Sequence, residues 1–170
     1  MIFDKAKPIT FSLEEASLTR ATAWQSLIQN LMSETDTFLV ASVRDGQIVV
    51  EEDTNEPAIT LLLIAEQQND TLPVGIASIE NGEIGMAILK DFQGAGLGKT
   101  LMVALLDWAE MVNLEKVWLD VQTDNLVATH LYDKFEFEKV GSEVNLTLPN
   151  GRVTKLQRMV KFLVKENTSL

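Results

Sequence analysis

The chain of 170 residues contains no cysteine and one histidine. Without a thiol it cannot form disulfides, thiolate metal sites or a cysteine nucleophile. A lone His130 cannot build a histidine metal centre, and its position on a helical wheel indicates a surface or packing residue. We therefore expect no metal, and any chemistry has to come from other groups.

The sequence also lacks long apolar segments and an excess of positive charge. Fully apolar runs such as Leu61 to Ala65 are far too short to cross a bilayer, and the amino terminus has no secretory apolar core. The net charge of −11 comes from 14 basic and 25 acidic residues, which opposes binding to nucleic acid and favours cationic partners. We expect a cytoplasmic protein without nucleic-acid or membrane partners.

What is present is typical of one folded domain over residues 1–170, since 46% of the residues are hydrophobic. Pro8 to Phe11 predicts a short strand, and Ser12 with Glu15 has the spacing of a capping box that begins a helix. That helix is predicted to continue to about Ser33. The next segment is read as a strand at Phe38 to Val43, a turn at Asp45-Gly46 and a solvated loop from Glu51 to Pro57.

Residues 58–90 are predicted to form a three-stranded antiparallel meander. Asn81-Gly82 lies between apolar stretches, which is a strong hairpin signal because both residues tolerate positive φ. The predicted strands are Ile59 to Ala65, Val74 to Ile79 and Glu83 to Lys90, with a polar turn at Gln67 to Pro73.

A strand, a glycine-rich turn, a helix and a further strand follow one another from Glu83 to Val121. This order predicts a right-handed crossover that joins two parallel strands. The remaining elements are predicted as a helix at Leu126 to Phe135 and a hairpin of Phe137 to Leu148 with Val153 to Val164.

The glycine-rich turn from Gln93 to Gly98 is the clearest candidate ligand site. Its glycines allow close approach to a ligand, and its amides lie at the positive end of a helix, where phosphate binds. The alternative is a turn that serves only tight packing. A triphosphate loop would require glycine at Gln93, and the G-x-G-x-G spacing of Gly94, Gly96 and Gly98 does not fit a dinucleotide fingerprint.

Two motifs instead resemble the GNAT superfamily of N-acetyltransferases. The first is Q-x-x-G-x-G, formed by Gln93, Gly96 and Gly98. The second is the helix motif N-x-x-A-x-x-L-Y-x-x-x-G-F, which Asn125, Ala128, Leu131, Tyr132 and Phe137 match. Glu136 stands where glycine is usual, which predicts a different helix cap.

The resemblance implies a mixed α/β fold, with a twisted, largely antiparallel sheet in which one parallel pair splays apart to admit acetyl-coenzyme A (acetyl-CoA). It implies that amides near Ile88 and Leu89 hold the thioester and pantetheine, and that the glycine turn holds the phosphates. A Cβ at Gly96 or Gly98 is expected to enter the phosphate site. The residues implied in cofactor binding are Ile88, Leu89, Gln93, Gly94, Ala95, Gly96, Leu97, Gly98, Lys99, Asn125 and Tyr132.

Two side chains are candidates for the catalytic chemistry. Tyr132 lies seven residues after Asn125, on nearly the same helical face, and by resemblance donates its phenolic proton to the coenzyme A sulfur. The alternative is a tyrosine half-buried against the sheet. Glu83 is the candidate general base, also by resemblance, and its alternative is a solvated hairpin residue.

The function implied is transfer of an acetyl group to a primary amine, on a small cationic amine or a protein amino terminus. The first helix and residues 34–57 are expected to form part of the acceptor side, and a homodimer is a possible assembly. One alternative is a non-catalytic acyl-CoA sensor of the same fold. Another is a nucleotide hydrolase that uses Gly98, Lys99 and Thr100.

Overall fold

The computed structural model describes residues 3–17, 21–36, 43–44, 47–48 and 55–163. The three helices of these residues are α1 (Ala21–Glu34), α2 (Leu97–Met111) and α3 (Leu126–Lys134). The strands are β1 (Thr10–Glu15), β2 (Val43–Arg44), β3 (Gln47–Ile48), β4 (Ile59–Gln67), β5 (Asp70–Glu80), β6 (Glu83–Ile88), β7 (Lys116–Gln122), β8 (Glu138–Thr147) and β9 (Val153–Phe162).

These strands form one sheet in the order β1-β4-β5-β6-β7-β9-β8-β2-β3. Its neighbouring strands are antiparallel except β6 and β7, which are parallel and are joined by the crossover through α2. The prediction of a mixed α/β fold with a largely antiparallel sheet and one parallel pair is therefore confirmed.

The hairpin between β5 and β6 also forms as predicted. Asn81 and Gly82 have φ of 51° and 74°, and Glu80 pairs with Glu83 across the turn. The polar turn predicted from Gln67 to Pro73 is wrong in extent, because Gln67 already pairs with Asp70. The two long strands continue their pairing through these polar residues, which leaves only residues 68–69 for the turn.

The capping box predicted at Ser12 and Glu15 is wrong. Both residues lie in β1, where Ser12 pairs with Ile64 and Glu15 pairs with Leu61 on β4. Pairing with a long, largely buried strand outweighs a local capping preference, since β4 satisfies the backbone groups on the side of β1 that faces it. The predicted helix exists as α1 and ends at Glu34. The predicted turn at Asp45-Gly46, and residues 38–42 and 51–54, lie outside the described residues.

The core lies between the sheet and its helices, and α2 contributes a large part of it. Apolar residues at helical spacing bury one face of α2, including Leu101 and Leu105, which are fully buried. This face packs against β5 and β6, and it fixes the amino terminus of α2 beyond the carboxyl end of β6. No helix of the described residues is long and apolar enough to span a membrane.

Candidate functional site

A gap opens between the parallel strands β6 and β7. They share a single paired position, Glu83 with Trp118, where the Trp118 amide donates to the Gly82 carbonyl at 2.9 Å. The Trp118 indole donates to the Asn81 carbonyl at 3.1 Å and so fastens this end. Toward the carboxyl ends of the two strands no further pairing occurs within the described residues, so the gap is open there.

The edge of β6 that faces this gap carries unused backbone groups. The Leu89 amide donates to the Val74 carbonyl of β5 at 2.8 Å. Because successive amides of a strand alternate in direction, those of Met86 and Ile88 point to the opposite side, into the gap. On this side the Gln93 side chain donates to the Ile88 carbonyl at 2.9 Å. The Ile88 amide is thus available to a ligand, but the predicted role of the Leu89 amide is wrong because β5 uses it.

The glycine turn lies at the open end of the gap. A single helical turn, Lys90–Phe92, connects β6 to it, and Gly96 caps α2 with a φ of 75° and no side-chain hydrogen bond. The Thr100 amide bonds to the Gly96 carbonyl at 3.2 Å. The preceding amides, from Gly94 to Lys99, have no acceptor among the described residues, as expected for the first turn of a helix. They form a cluster of donors suited to an anion.

The surroundings of the glycines distinguish two kinds of position. A Cβ built on Gly94 or Gly96 meets no atom within 4 Å, so both face open space. A Cβ on Gly98 lies 3.5 Å from Leu131 Cδ2 of α3, an ordinary packing distance. The expectation that a Cβ at Gly96 or Gly98 enters the phosphate site stays a prediction, and the open space at Gly96 favours it more than the packed position of Gly98 does.

Tyr132 lies on α3 in a largely buried position. Its side chain is 9% exposed, and burial raises the pKa of the phenol to about 12. Its hydroxyl has no hydrogen-bond partner within the described part of the chain. Asn125 is the residue that begins the helix, since its side chain accepts a hydrogen bond from the Ala128 amide at 3.3 Å. Asn125 is thus a helix cap, and its predicted contact with the cofactor stays a prediction.

The carboxyl end of α3 holds Tyr132 in place through a Schellman cap. The Phe137 amide bonds to the Tyr132 carbonyl and the Glu136 amide to the Asp133 carbonyl, both at 3.0 Å. The rings of Tyr132 and Phe137 pack with centroids 5.9 Å apart. Glu136 has a φ of 63°, the conformation that glycine usually supplies. The prediction of a different cap is therefore wrong, because glutamate adopts the common geometry.

This conformation predicts that Glu136→Gly stabilises the protein by about 0.5–1 kcal/mol. Glycine removes the left-handed strain of about 1–2 kcal/mol but adds conformational freedom to the unfolded chain. Thermal and urea unfolding measure the change. Asn113→Gly is the matched control, since Asn113 has a φ of 61° and asparagine already tolerates that region. A loss of stability in Glu136→Gly would contradict the interpretation.

Glu83 and His130 lie away from the glycine turn. Glu83 is half-buried at the first position of β6, at the fastened end of the gap, about 16 Å along the strand from Ile88. His130 is exposed on α3, in agreement with its interpretation as a surface residue.

A polar network that the sequence did not predict lies beside the open end of the gap. Arg152 donates to both carboxylate oxygens of Asp36 at 2.7 and 3.0 Å, to Asp124 at 2.8 Å and to Gln122 at 2.9 Å. The bonds from Arg152 hold the pKa of Asp36 below its usual range. Asp36 and Arg152 are 116 residues apart, so no local pattern could connect them.

A groove of about 480 Å³ adjoins this network. It contains two carboxylates and mostly small or polar neighbours. The lining residues are Met32, Ser33, Glu34, Thr35, Asp36, Pro149 and Asn150.

The lowered pKa of Asp36 predicts that its contribution to stability depends on pH. The stabilisation is present above the ordinary aspartate range, near 3.9, and is lost as the pH falls through the lowered pKa. Asp36→Asn should lower the melting temperature by about 2–4 °C at pH 7, and this difference should shrink at about pH 3. Asp133→Asn, at an exposed position of α3, is the control. A difference that is equal at both pH values would contradict the assignment.

Comparisons with known proteins agree with this geometry. A model of the Acetyltransferase (GNAT) family matches residues 16–137. The spermidine N(1)-acetyltransferase of Vibrio cholerae is 34% identical over 80 residues. This alignment covers 46% of each of the two chains, so it spans just under half the length of that relative.

Solved structures share the fold over most of the chain. An acetyltransferase of the GNAT family from Streptococcus pneumoniae superposes with a TM-score of 0.72 at 23% identity, covering 91% of this chain and all of that chain. A putative acetyltransferase from Salmonella typhimurium with acetyl-CoA gives 0.67 at 17% identity, covering 94% and 98%. Spermidine N-acetyltransferase from Vibrio cholerae, in complex with CoA and spermine, gives 0.66 at 21%, covering 89% and 95%.

The splayed parallel pair, the glycine turn at its open end and the match over residues 16–137 lead to one assignment. The chain belongs to the Acetyltransferase (GNAT) family.

Proposed function

We propose that the protein transfers an acetyl group from acetyl-CoA to a primary amine. The observation that carries the proposal is the unpaired gap between β6 and β7, with the free amides from Gly94 to Lys99 at its open end. An acyl thioester with a long pantetheine arm and a diphosphate requires both parts, an extended channel and an anion site. Membership of the GNAT family supports this reading.

The binding mode follows from the backbone groups that the fold leaves unused. The amides of the glycine turn bind the diphosphate at the positive end of α2. The amides of Met86 and Ile88, which point into the gap, bind the pantetheine arm as a neighbouring strand would. Bound in this way, the cofactor supplies an activated acyl group beside Tyr132. Two related structures hold CoA or acetyl-CoA, which supports the same ligand here.

Tyr132 is the proposed general acid. As the amine nitrogen attacks the thioester carbonyl, the C–N bond forms, the C–S bond breaks and the departing sulfur takes the phenolic proton. A pKa of about 12 keeps that proton on the phenol throughout the pH range in which the acceptor amine becomes neutral.

Glu83 is the proposed base, acting through water from the fastened end of the gap. Its place at the first position of β6 puts a carboxylate on the strand along which the cofactor lies. The amine has to lose one proton for each turnover, and a carboxylate with a connecting water can accept it.

The acceptor proposed is a small cationic amine. The groove beside the open end of the gap carries the carboxylate of Glu34, since that of Asp36 is paired with Arg152, and the chain has a net charge of −11. Both features attract a cation. The Vibrio cholerae relative that matches 46% of this chain is a spermidine acetyltransferase, which supports the same class. A protein amino terminus is the competing acceptor.

Two experiments test the proposal in sequence. At a concentration one hundred times its Kd, acetyl-CoA should raise the free energy of unfolding by about 2.7 kcal/mol and therefore raise the melting temperature. ATP and NAD should leave the melting temperature unchanged. A panel of polyamines, monoamines and peptides with free amino termini is then assayed by release of free thiol. Binding of ATP with magnesium in place of acetyl-CoA would contradict the proposal.

The domain organisation, the cellular location and the oligomeric state are proposed from the sequence. We infer that residues 1–170 act as one domain in the cytoplasm. A homodimer stays a prediction for this chain, while one structure of the Vibrio cholerae enzyme is dodecameric. Light scattering of the purified protein measures the assembly directly.

A further inference from the structure

The last residue of α1 and the two residues after it contact the ends of both splayed strands. The Glu34 carboxylate accepts a hydrogen bond at 2.8 Å from the amide of Lys90, two residues after β6. The Asp36 carbonyl accepts one at 3.0 Å from the side chain of Gln122, the last residue of β7. We call Glu34 to Asp36 the bridging segment, because it connects β6 to β7 at the end where the strands themselves do not pair.

Arg152 fixes one end of the bridging segment. Its guanidinium binds both oxygens of Asp36 and also reaches Asp124 and Gln122. A planar fork with several fixed donors holds such an arrangement, whereas lysine offers a single charged centre. The end of the segment at Asp36 is therefore held to β7 and to the residue that precedes Asn125, the cap of α3.

Both ends of the bridging segment connect to groups of the proposed site. Lys90 begins the short helical turn that leads to Gln93, so the bond from Glu34 constrains the approach to the glycine turn. Asp124 immediately precedes Asn125, the cap of α3, and α3 is the helix that carries Tyr132. The segment thus joins the anion-binding turn to the helix of the general acid across the open gap.

We propose that Glu34 and Arg152 are positioning residues that together set the width of the gap between β6 and β7. This inference rests on the proposed function, because the width matters only if a cofactor occupies the gap. Neither side chain lies in the glycine turn or on α3, so both act on the cofactor through the backbone that they hold. Since the segment must be fastened at both ends, release of either end should have the same consequence as release of both.

The first test is a double-mutant cycle in acetyl-CoA affinity. Glu34→Ala and Arg152→Ala should each weaken acetyl-CoA binding by about five- to tenfold, measured by calorimetry. The double variant should bind acetyl-CoA with the same affinity as the single variant that binds it more weakly. Glu34→Gln keeps an acceptor oxygen and should bind like wild type, whereas Arg152→Lys should bind like Arg152→Ala.

The controls are changes on the same elements that leave the bridging segment intact. Gln29→Ala alters an exposed residue of α1, and Lys155→Ala removes an exposed ion pair to Glu143 from the β8–β9 hairpin. Both should bind acetyl-CoA like wild type. Losses of affinity that multiply in the double variant would overturn the proposal, as would unchanged affinity in both single variants.

A second test needs no cofactor and so separates this inference from the proposed function. In the free protein, Arg152→Ala should speed hydrogen exchange at the Lys90 amide by about tenfold or more, although Arg152 lies on the far side of the gap. Lys155→Ala should leave that amide protected. If Arg152→Ala leaves exchange at Lys90 unchanged, the bridging segment does not couple the two strands, whether or not the protein binds acetyl-CoA.

Discussion

Replacement of Tyr132 by phenylalanine is expected to lower turnover by about 10²–10⁴-fold, while the Kd for acetyl-CoA changes less than about twofold. The substitution removes only the hydroxyl. The buried ring and its packing against Phe137 remain, so the helix and the gap keep their shape. What is lost is the proton for the departing sulfur.

The pH dependence of wild-type turnover gives a second test of the role of the Tyr132 hydroxyl. Because the pKa of Tyr132 is raised to about 12, wild-type turnover should rise as the amine loses its proton and should not fall up to about pH 10 through ionisation of the phenol. Wild-type turnover in Tyr132→Phe would contradict the role of the hydroxyl. Tight binding of acetyl-CoA by the wild-type protein, without turnover of any amine, would favour a sensor of the same fold.

Substitution of Gly96 by alanine is expected to weaken acetyl-CoA binding by roughly tenfold or more, a loss of about 1.4 kcal/mol. The new methyl group points into open space beside the free amides, where the proposed diphosphate lies. The φ of 75° also makes alanine strained there, at a cost of about 1–2 kcal/mol in stability. Calorimetry and thermal unfolding measure the two effects separately.

Gly98→Ala is the matched control, two residues further along. Its Cβ contacts Leu131 at an ordinary 3.5 Å, and Gly98 lies within α2. Alanine is the better helix former, so this variant should gain up to about 1 kcal/mol in stability and bind acetyl-CoA within about twofold of wild type. Unchanged affinity in Gly96→Ala would place the anion elsewhere, and an equal loss in Gly98→Ala would mean that both positions line the anion site.

The parts of the fold that the sequence predicts are those with a local physical cause. Asn81 and Gly82 form the predicted hairpin because their residue types adopt positive φ at low cost. The amino terminus of α2 lies at the predicted glycine turn for the same reason. The three-stranded meander and the crossover follow from apolar patterns that each span a few residues.

The parts that the sequence did not predict depend on contacts between distant residues. Ser12 and Glu15 carry a local capping signal, but their pairing with β4 determines their conformation. The amide of Leu89 is used by β5, and this depends on strand register, which the chain does not display locally. The network of Asp36 and Arg152 joins residues 116 positions apart. Such a pair is visible only after folding.

The single paired position between β6 and β7 affects how the molecule can deform. At the boundaries β4–β5, β5–β6, β7–β9 and β9–β8, a shift of one strand would break several directional bonds at once. At the seam between β6 and β7 the described residues supply one paired position between the strands and, at the open end, the hydrogen bonds of the bridging segment. The seam is therefore the place where the sheet can open by a fraction of an ångström and close again with the loss of few backbone hydrogen bonds.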